Sequence, residues 1–173
     1  AVFVFIASSI IHMFLPYHRS DYGGVPDEDG LMDALRGFNI PPGDYVVPRA
    51  GSPEVMKSEE YQAKAKRGPV WFMTVFPSGN PFGMGAQMAQ WFVFCVIVGV
   101  FAAYIAGRAL APGAPYLSIF RFTGCTAFIG YGLAHLQRSI WYKQAWSTTF
   151  KNLFDALIYG LLTAGAFGWL WPD

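Results

Sequence analysis

The chain has 173 residues, of which 54% are hydrophobic, 18% aromatic and only 13% charged, a composition that excludes an ordinary soluble globular domain and points to the membrane class. Its 12 basic and 11 acidic side chains leave a formal net charge of +1, and no basic stripe with interleaved aromatics is present, so nucleic-acid binding is set aside. Charges are missing between Arg67 and Arg108, between Arg121 and Arg138 and between Asp155 and Asp173, gaps of the size that about 20 residues of spanning helix require.

Residues 1–16, "AVFVFIASSIIHMFLP", open the chain without an initiator Met or a basic leader. The run ends in Pro-Tyr-His-Arg rather than at a small-residue cleavage site, which argues against a secretory signal. It reads as the second part of a first transmembrane helix, N-terminally incomplete and closed by Pro16.

Residues 17–85 are mixed in charge and rich in Pro and Gly, and they predict a small α+β extramembrane cap. "PDEDGLMDALRG" has acids at its start, Leu31, Met32 and Leu35 on one face, and Arg36 and Gly37 at its end, which predicts a short helix. "SPEVMKSEEYQAKAKRG" predicts a second, with Ser52 as cap, Pro53 at the first helical position and Gly68 beyond its end. "DYVVP" at 44–48 and "PVWFMTVFP" at 69–77 are β-branched and aromatic between prolines, and predict a pair of short strands. "GNPFGMG" at 79–85 reads as a flexible entry loop, since it lacks the strand and the Lys of a phosphate cradle.

Residues 86–173 predict a three-helix transmembrane region with helices at 86–109, 115–140 and 150–171, separated by the "APGAP" turn at 111–115 and a polar connection. Only helices or closed barrels satisfy every backbone group in lipid, and uninterrupted apolar runs of this length do so as helices. The expected fold is therefore an all-α integral membrane protein, four transmembrane helices in a bundle with the cap between helices 1 and 2.

Small residues recur at helical spacing: Cys95, Gly99, Ala103 and Gly107 in the second helix, Thr123, Ala127, Gly130 and Ala134 in the third, and Ala156, Gly160, Ala164 and Gly168 in the fourth. Such stripes let helix backbones approach closely in lipid, either within the bundle or against a partner helix. Gly99, Ala103, Gly107, Ala156, Gly160, Ala164 and Gly168 are thus candidates for partner-helix packing, with Leu153, Phe154, Leu157 and Leu161 on the opposite face of the fourth helix. Cys95 and Cys125, without C-x-x-C spacing, read as small buried side chains.

Arg138, Trp141, Tyr142, Lys143, Trp146, Trp169 and Trp171 are of the types that anchor helix ends at the membrane interface. Arg121, inside the third helix, reads as a snorkelling anchor. Counting Arg19, Lys66, Arg67, Arg138, Lys143 and Lys151 on one face against mainly Arg108 on the other puts the cap and the 138–150 connection in the cytoplasm and the C-terminus on the opposite side, in a bacterial-type inner membrane.

His12 and His135 each fall about one turn before a helix end, at matched depth within roughly 6 Å of the same membrane face. Asp155 enters that layer one turn into the fourth helix, with His18, Arg19 and Asp21 just above it. An ionisable group inside a span usually faces the bundle and finds a partner, so His12, His135 and Asp155 form the candidate cofactor-binding set.

Three chemistries compete for that set: axial ligation of haem or of a chlorophyll-type pigment, binding of a quinone headgroup or a proton relay, and a transition metal on His12, His135 and Asp155. The simpler alternative is an interfacial anchor with hydrogen-bonded rings, Asp155 pairing with His135 or Arg138. The cofactor stays open among haem, pigment and quinone, with lipids expected, and no metal-ligand set is assigned.

G-x-S-x-G, H-E-x-x-H and the P-loop pattern are absent, as are the interrupted inverted repeats of transporters, so no catalytic residue is assigned. The expected function is a non-catalytic accessory or assembly subunit of a larger membrane complex, with the bilayer and other integral membrane subunits as partners. The alternative is a His-ligated cofactor protein of an electron-transfer or photosynthetic complex.

Overall fold

The computed structural model describes residues 1–77 and 83–173. The chain is predominantly helical and divides into two compact units, one made of residues 1–23 and 84–173, the other of residues 24–83. Most of the 79–85 loop expected from "GNPFGMG" lies outside the described residues.

The first unit contains α1 (Val2–Phe14), a 3₁₀ turn (Pro16–Ser20), α5 (Met84–Ala109), α6 (Tyr116–Phe128), a π turn (Ile129–Leu133), α7 (His135–Tyr142) and α8 (Trp146–Leu170). Three helices are long and apolar enough to cross a membrane: Met84–Ala109, the continuous Tyr116–Tyr142 formed by α6, the π turn and α7, and Trp146–Leu170. α1 is apolar but has 13 residues, about 20 Å of helix, so three helices among the described residues have spanning length where four are expected. Its end is set by Leu15 in extended conformation before Pro16, whose ring disfavours helix in the residue it succeeds.

α6 and α8 form the most extensive helix pair, and small residues explain why. A methyl group placed on Gly124 would lie 2.9 Å from Ala164 Cβ, one on Gly132 would lie 2.9 Å from Ala156 Cβ, and one on Gly160 would lie 3.2 Å from the Gly124 carbonyl oxygen. Gly168 admits the ring of Tyr116 at the far end. The small face of α8 is therefore consumed inside the chain, while Phe154, Leu157 and Leu161 on its other side are exposed.

The core joins Val4 and Ile11 of α1, Cys95 and Val98 of α5, Ala127 and Tyr131 of the middle span, and Ala156 and Tyr159 of α8. Tyr131 and Tyr159 meet edge to face at 5.4 Å, with Trp91 6.0 Å from the first ring. Cys95 is buried as expected, but Cys125 is exposed. The reason is phase: Thr123 and Ala127 face the core, and a residue two positions from each points to the other side of a helix.

At one end, the Trp171 indole N–H donates to the Ala111 carbonyl at 3.1 Å and the Gly113 N–H to the Pro172 carbonyl at 2.9 Å. The turn between α5 and α6 and the end of α8 thus lie together. At the other end, buried Ser139 and Thr149 share a hydrogen bond of 2.6 Å between α7 and α8.

The second unit contains α2 (Glu28–Arg36), β1 (Gly43–Val47), α3 (Pro53–Lys57), α4 (Glu59–Arg67) and β2 (Trp71–Val75). The strands pair antiparallel with Gly43 opposite Val75 and Val47 opposite Trp71, and the Thr74 hydroxyl donates to Asp44 at 2.6 Å. The single helix expected from "SPEVMKSEEYQAKAKRG" is two, because Ser58 turns extended and its Oγ accepts from the Tyr61 N–H, capping α4 afresh. Glu59 and Glu60 in the new first turn reinforce that start.

Candidate functional site

A cluster of charged and polar groups of the first unit forms where α1 ends against α8. Pro16 starts a tight 3₁₀ turn, and this folds Tyr17 and His18 back toward α8 instead of letting them continue away from it. Asp155, 2% exposed, is held on α8 among Ala156 and Tyr159.

The Tyr17 hydroxyl donates to Asp155 Oδ1, and His18 Nε2 lies 2.8 Å from Asp155 Oδ2. The other ring nitrogen, His18 Nδ1, lies 2.6 Å from Asp21 Oδ2. Lys151 completes the network: its Nζ donates to the Tyr17 carbonyl at 2.5 Å, to Ser20 Oγ at 2.8 Å and to Asp21 Oδ1 at 2.8 Å. His12 Nε2 stands 3.8 Å from Asp155 Oδ2 and 3.5 Å from the Tyr159 hydroxyl, and the His12 and His18 rings stack with centroids 4.4 Å apart.

The surroundings of two of these groups, Tyr17 and Asp21, perturb their titration. Burial, then the bond to a carboxylate, pushes the Tyr17 hydroxyl well above its ordinary value. Burial alone would raise the Asp21 carboxyl, but the bonds from Lys151 and His18 outweigh it and hold Asp21 below the usual carboxylate range.

Of the residues expected to meet, the structure brings His12 and Asp155 together and gives His135 a different neighbour, with the Asn152 amide nitrogen 3.4 Å from its Nδ1. His135 begins α7 one residue beyond the π turn, whose wider winding changes the helical phase of the residues after it. Asp155 pairs with Tyr17 and His18, not with His135 or Arg138; Arg138 donates to Gln144 Oε1 at 3.0 Å. Sequence reasoning left Tyr17, Lys151 and above all His18 outside the set. The signal for His18 was the Pro16 break and then His18-Arg-Ser-Asp21, a spacing that lets a histidine and an acid meet across one turn.

A cavity of about 310 Å³ opens between α1 and α5 and is lined by Ser8, Ser9, His12, Met13, Met88 and Trp91, among others. The Trp91 indole N–H donates to Ser8 Oγ at 2.7 Å and closes one wall. His12 therefore belongs to both the polar cluster and this apolar groove.

The small-residue stripes have two fates. Ala156, Gly160, Ala164 and Gly168 pack within the chain, whereas nothing lies within 4 Å of a methyl group placed on Gly99 or Gly107, and Ala103 is exposed. Trp141, Tyr142, Trp146 and Trp169 are exposed at helix ends, and Lys143 ends α7 in left-handed conformation at φ 58°.

Compared with family models, curated proteins and solved structures, the chain matches none.

Proposed function

We propose that the chain is a non-catalytic integral membrane subunit that docks to another membrane helix through α5. The observation that carries this reading is the contrast between two stripes of the same design: the one on α8 is filled by α6, and the Gly99, Ala103, Gly107 face of α5 is open. In lipid no hydrophobic force draws helices together, so a close-approach surface gains contact energy only when a second helix enters it. α5 is also the least enclosed span, with 17% of its most apolar stretch buried against 28% and 33% in the other two.

In this reading α1 joins the bundle as a fourth membrane helix, packed on α5 and α8. The basic residues near the α7–α8 connection put that side in the cytoplasm of a bacterial-type inner membrane, with the C-terminus opposite.

Native purification in mild detergent with mass spectrometry tests the reading. Wild type should co-migrate with a distinct membrane subunit, and Gly99→Leu with Gly107→Leu should release it as a folded monomer. A wild-type protein that runs alone, or a double variant that keeps its partner, removes the proposal.

A second reading is favoured by the groove beside His12, which offers an apolar channel with one polar end to an amphipathic cofactor such as a quinone in an electron-transfer complex. Quinone retained by wild type and lost in Met88→Trp, which narrows the groove from the α5 side, supports it. The absence of quinone from freshly purified protein excludes it.

A further inference from the structure

We propose that His12 Nε2, His18 Nε2 and Asp155 Oδ2 bind one divalent transition-metal ion, zinc or ferrous iron, with Asp21 orienting the His18 ring. One donor atom from each of the three ligands lies within 4.8 Å of the other two. Ligands about 2.0–2.2 Å from a tetrahedral ion stand roughly 3.3 Å from one another. The His18–Asp155 separation of 2.8 Å and the His12–Asp155 separation of 3.8 Å lie on either side of that value.

The second observation is how the cluster balances its charge. Among the described residues, the ion pairs of Asp155 are made with histidines alone, while the ammonium of Lys151 is directed to Asp21. Each nitrogen of the His18 ring faces a carboxylate oxygen, Nδ1 that of Asp21 and Nε2 that of Asp155. The 2.6 Å contact of His18 Nδ1 with Asp21 is the carboxylate–histidine arrangement that fixes the ring of a metal ligand.

Two imidazoles and one carboxylate form a set suited to zinc and to non-haem iron. The side chain of His12 is 49% exposed and borders the groove of α1 and α5, so the ion would keep a coordination position on that side. A buried carboxylate on a spanning-length helix also has more to gain from a divalent ion than one in water has.

The test uses the full chain purified in detergent, stripped with a chelator and titrated separately with Zn²⁺ and, without oxygen, Fe²⁺, with Co²⁺ as an optical reporter. One equivalent should bind, with visible Co²⁺ bands of a nitrogen–oxygen site. His12→Ala, an exposed position outside the short bonds, should keep its helicity and lose affinity by about 10-fold or more, and Asp21→Asn should lose a comparable or smaller factor. His135→Ala should bind as wild type does. The proposal is overturned if wild type takes up no ion saturably, if His12→Ala binds as tightly as wild type, or if His135→Ala loses the ion. His18→Ala and Asp155→Asn extend the set where they fold, while wild type, His12→Ala and His135→Ala decide the proposal without them.

Discussion

Asp155 is a carboxylate that water does not reach, so its stability in the fold depends on the groups that replace water. Tyr17 and His18 do that from a turn roughly 137 positions away in sequence, and the link fastens the end of α1 to α8. Tyr17→Phe removes one hydrogen bond to a charged group and should cost about 1.5–3 kcal/mol. Asp155→Asn breaks a buried pair and should cost about 3–5 kcal/mol. Because both act on one bond, the double variant should be less destabilised than the two single losses added together. Unfolding in detergent micelles monitored by circular dichroism measures all three, and strict additivity would show that the bond does not couple the residues. The sequence made Asp155 and His12 legible, since an acid inside an apolar run demands a partner. It put His18 just above that layer but outside the set, because a residue after Pro16 reads as leaving the bundle, and only the tight turn at Pro16–Ser20 brings it onto Asp155.

Helices were legible wherever charges were missing for long enough, and the strands wherever β-branched residues lay between prolines. The misses fall at local competitions. At Ser58 the side chain caps the backbone more favourably than an unbroken helix would use it, and at Ile129–Leu133 two glycines allow a wider turn that shifts the face of α7. The same sensitivity to single atoms governs how α6 meets α8. A methyl group on Gly124 would meet a rigid Ala164 Cβ at 2.9 Å, so Gly124→Ala should force the pair apart and cost about 1–3 kcal/mol. Gly99→Ala meets nothing within 4 Å, and the better helix former should leave stability unchanged or raise it by up to about 1 kcal/mol. Melting both variants as monomers separates the two stripes, and equal effects would mean that they do not differ in packing.

At the scale of the whole molecule, the three spanning-length helices among the described residues group their connections at two ends. The α5–α6 turn and the chain end after α8 are tied by the bonds of Trp171 and Gly113, while the α7–α8 connection lies at the opposite end of the same helices. Ala111 and Ala145 are exposed at these two ends. In a Cys125→Ala background, with Cys95 buried, Ala111→Cys and Ala145→Cys should therefore react with a membrane-impermeant thiol reagent from opposite faces. The positive-inside rule adds the direction: Ala111→Cys should label on intact cells and Ala145→Cys only after permeabilisation, because Arg138, Lys143 and Lys151 cluster at the second site and Arg108 stands near the first. Labelling of both from one face would mean that the helices do not cross the bilayer. Labelling from opposite faces in the reverse sense would keep the crossing and place the Lys151–Asp21 end of the polar cluster outside the cell.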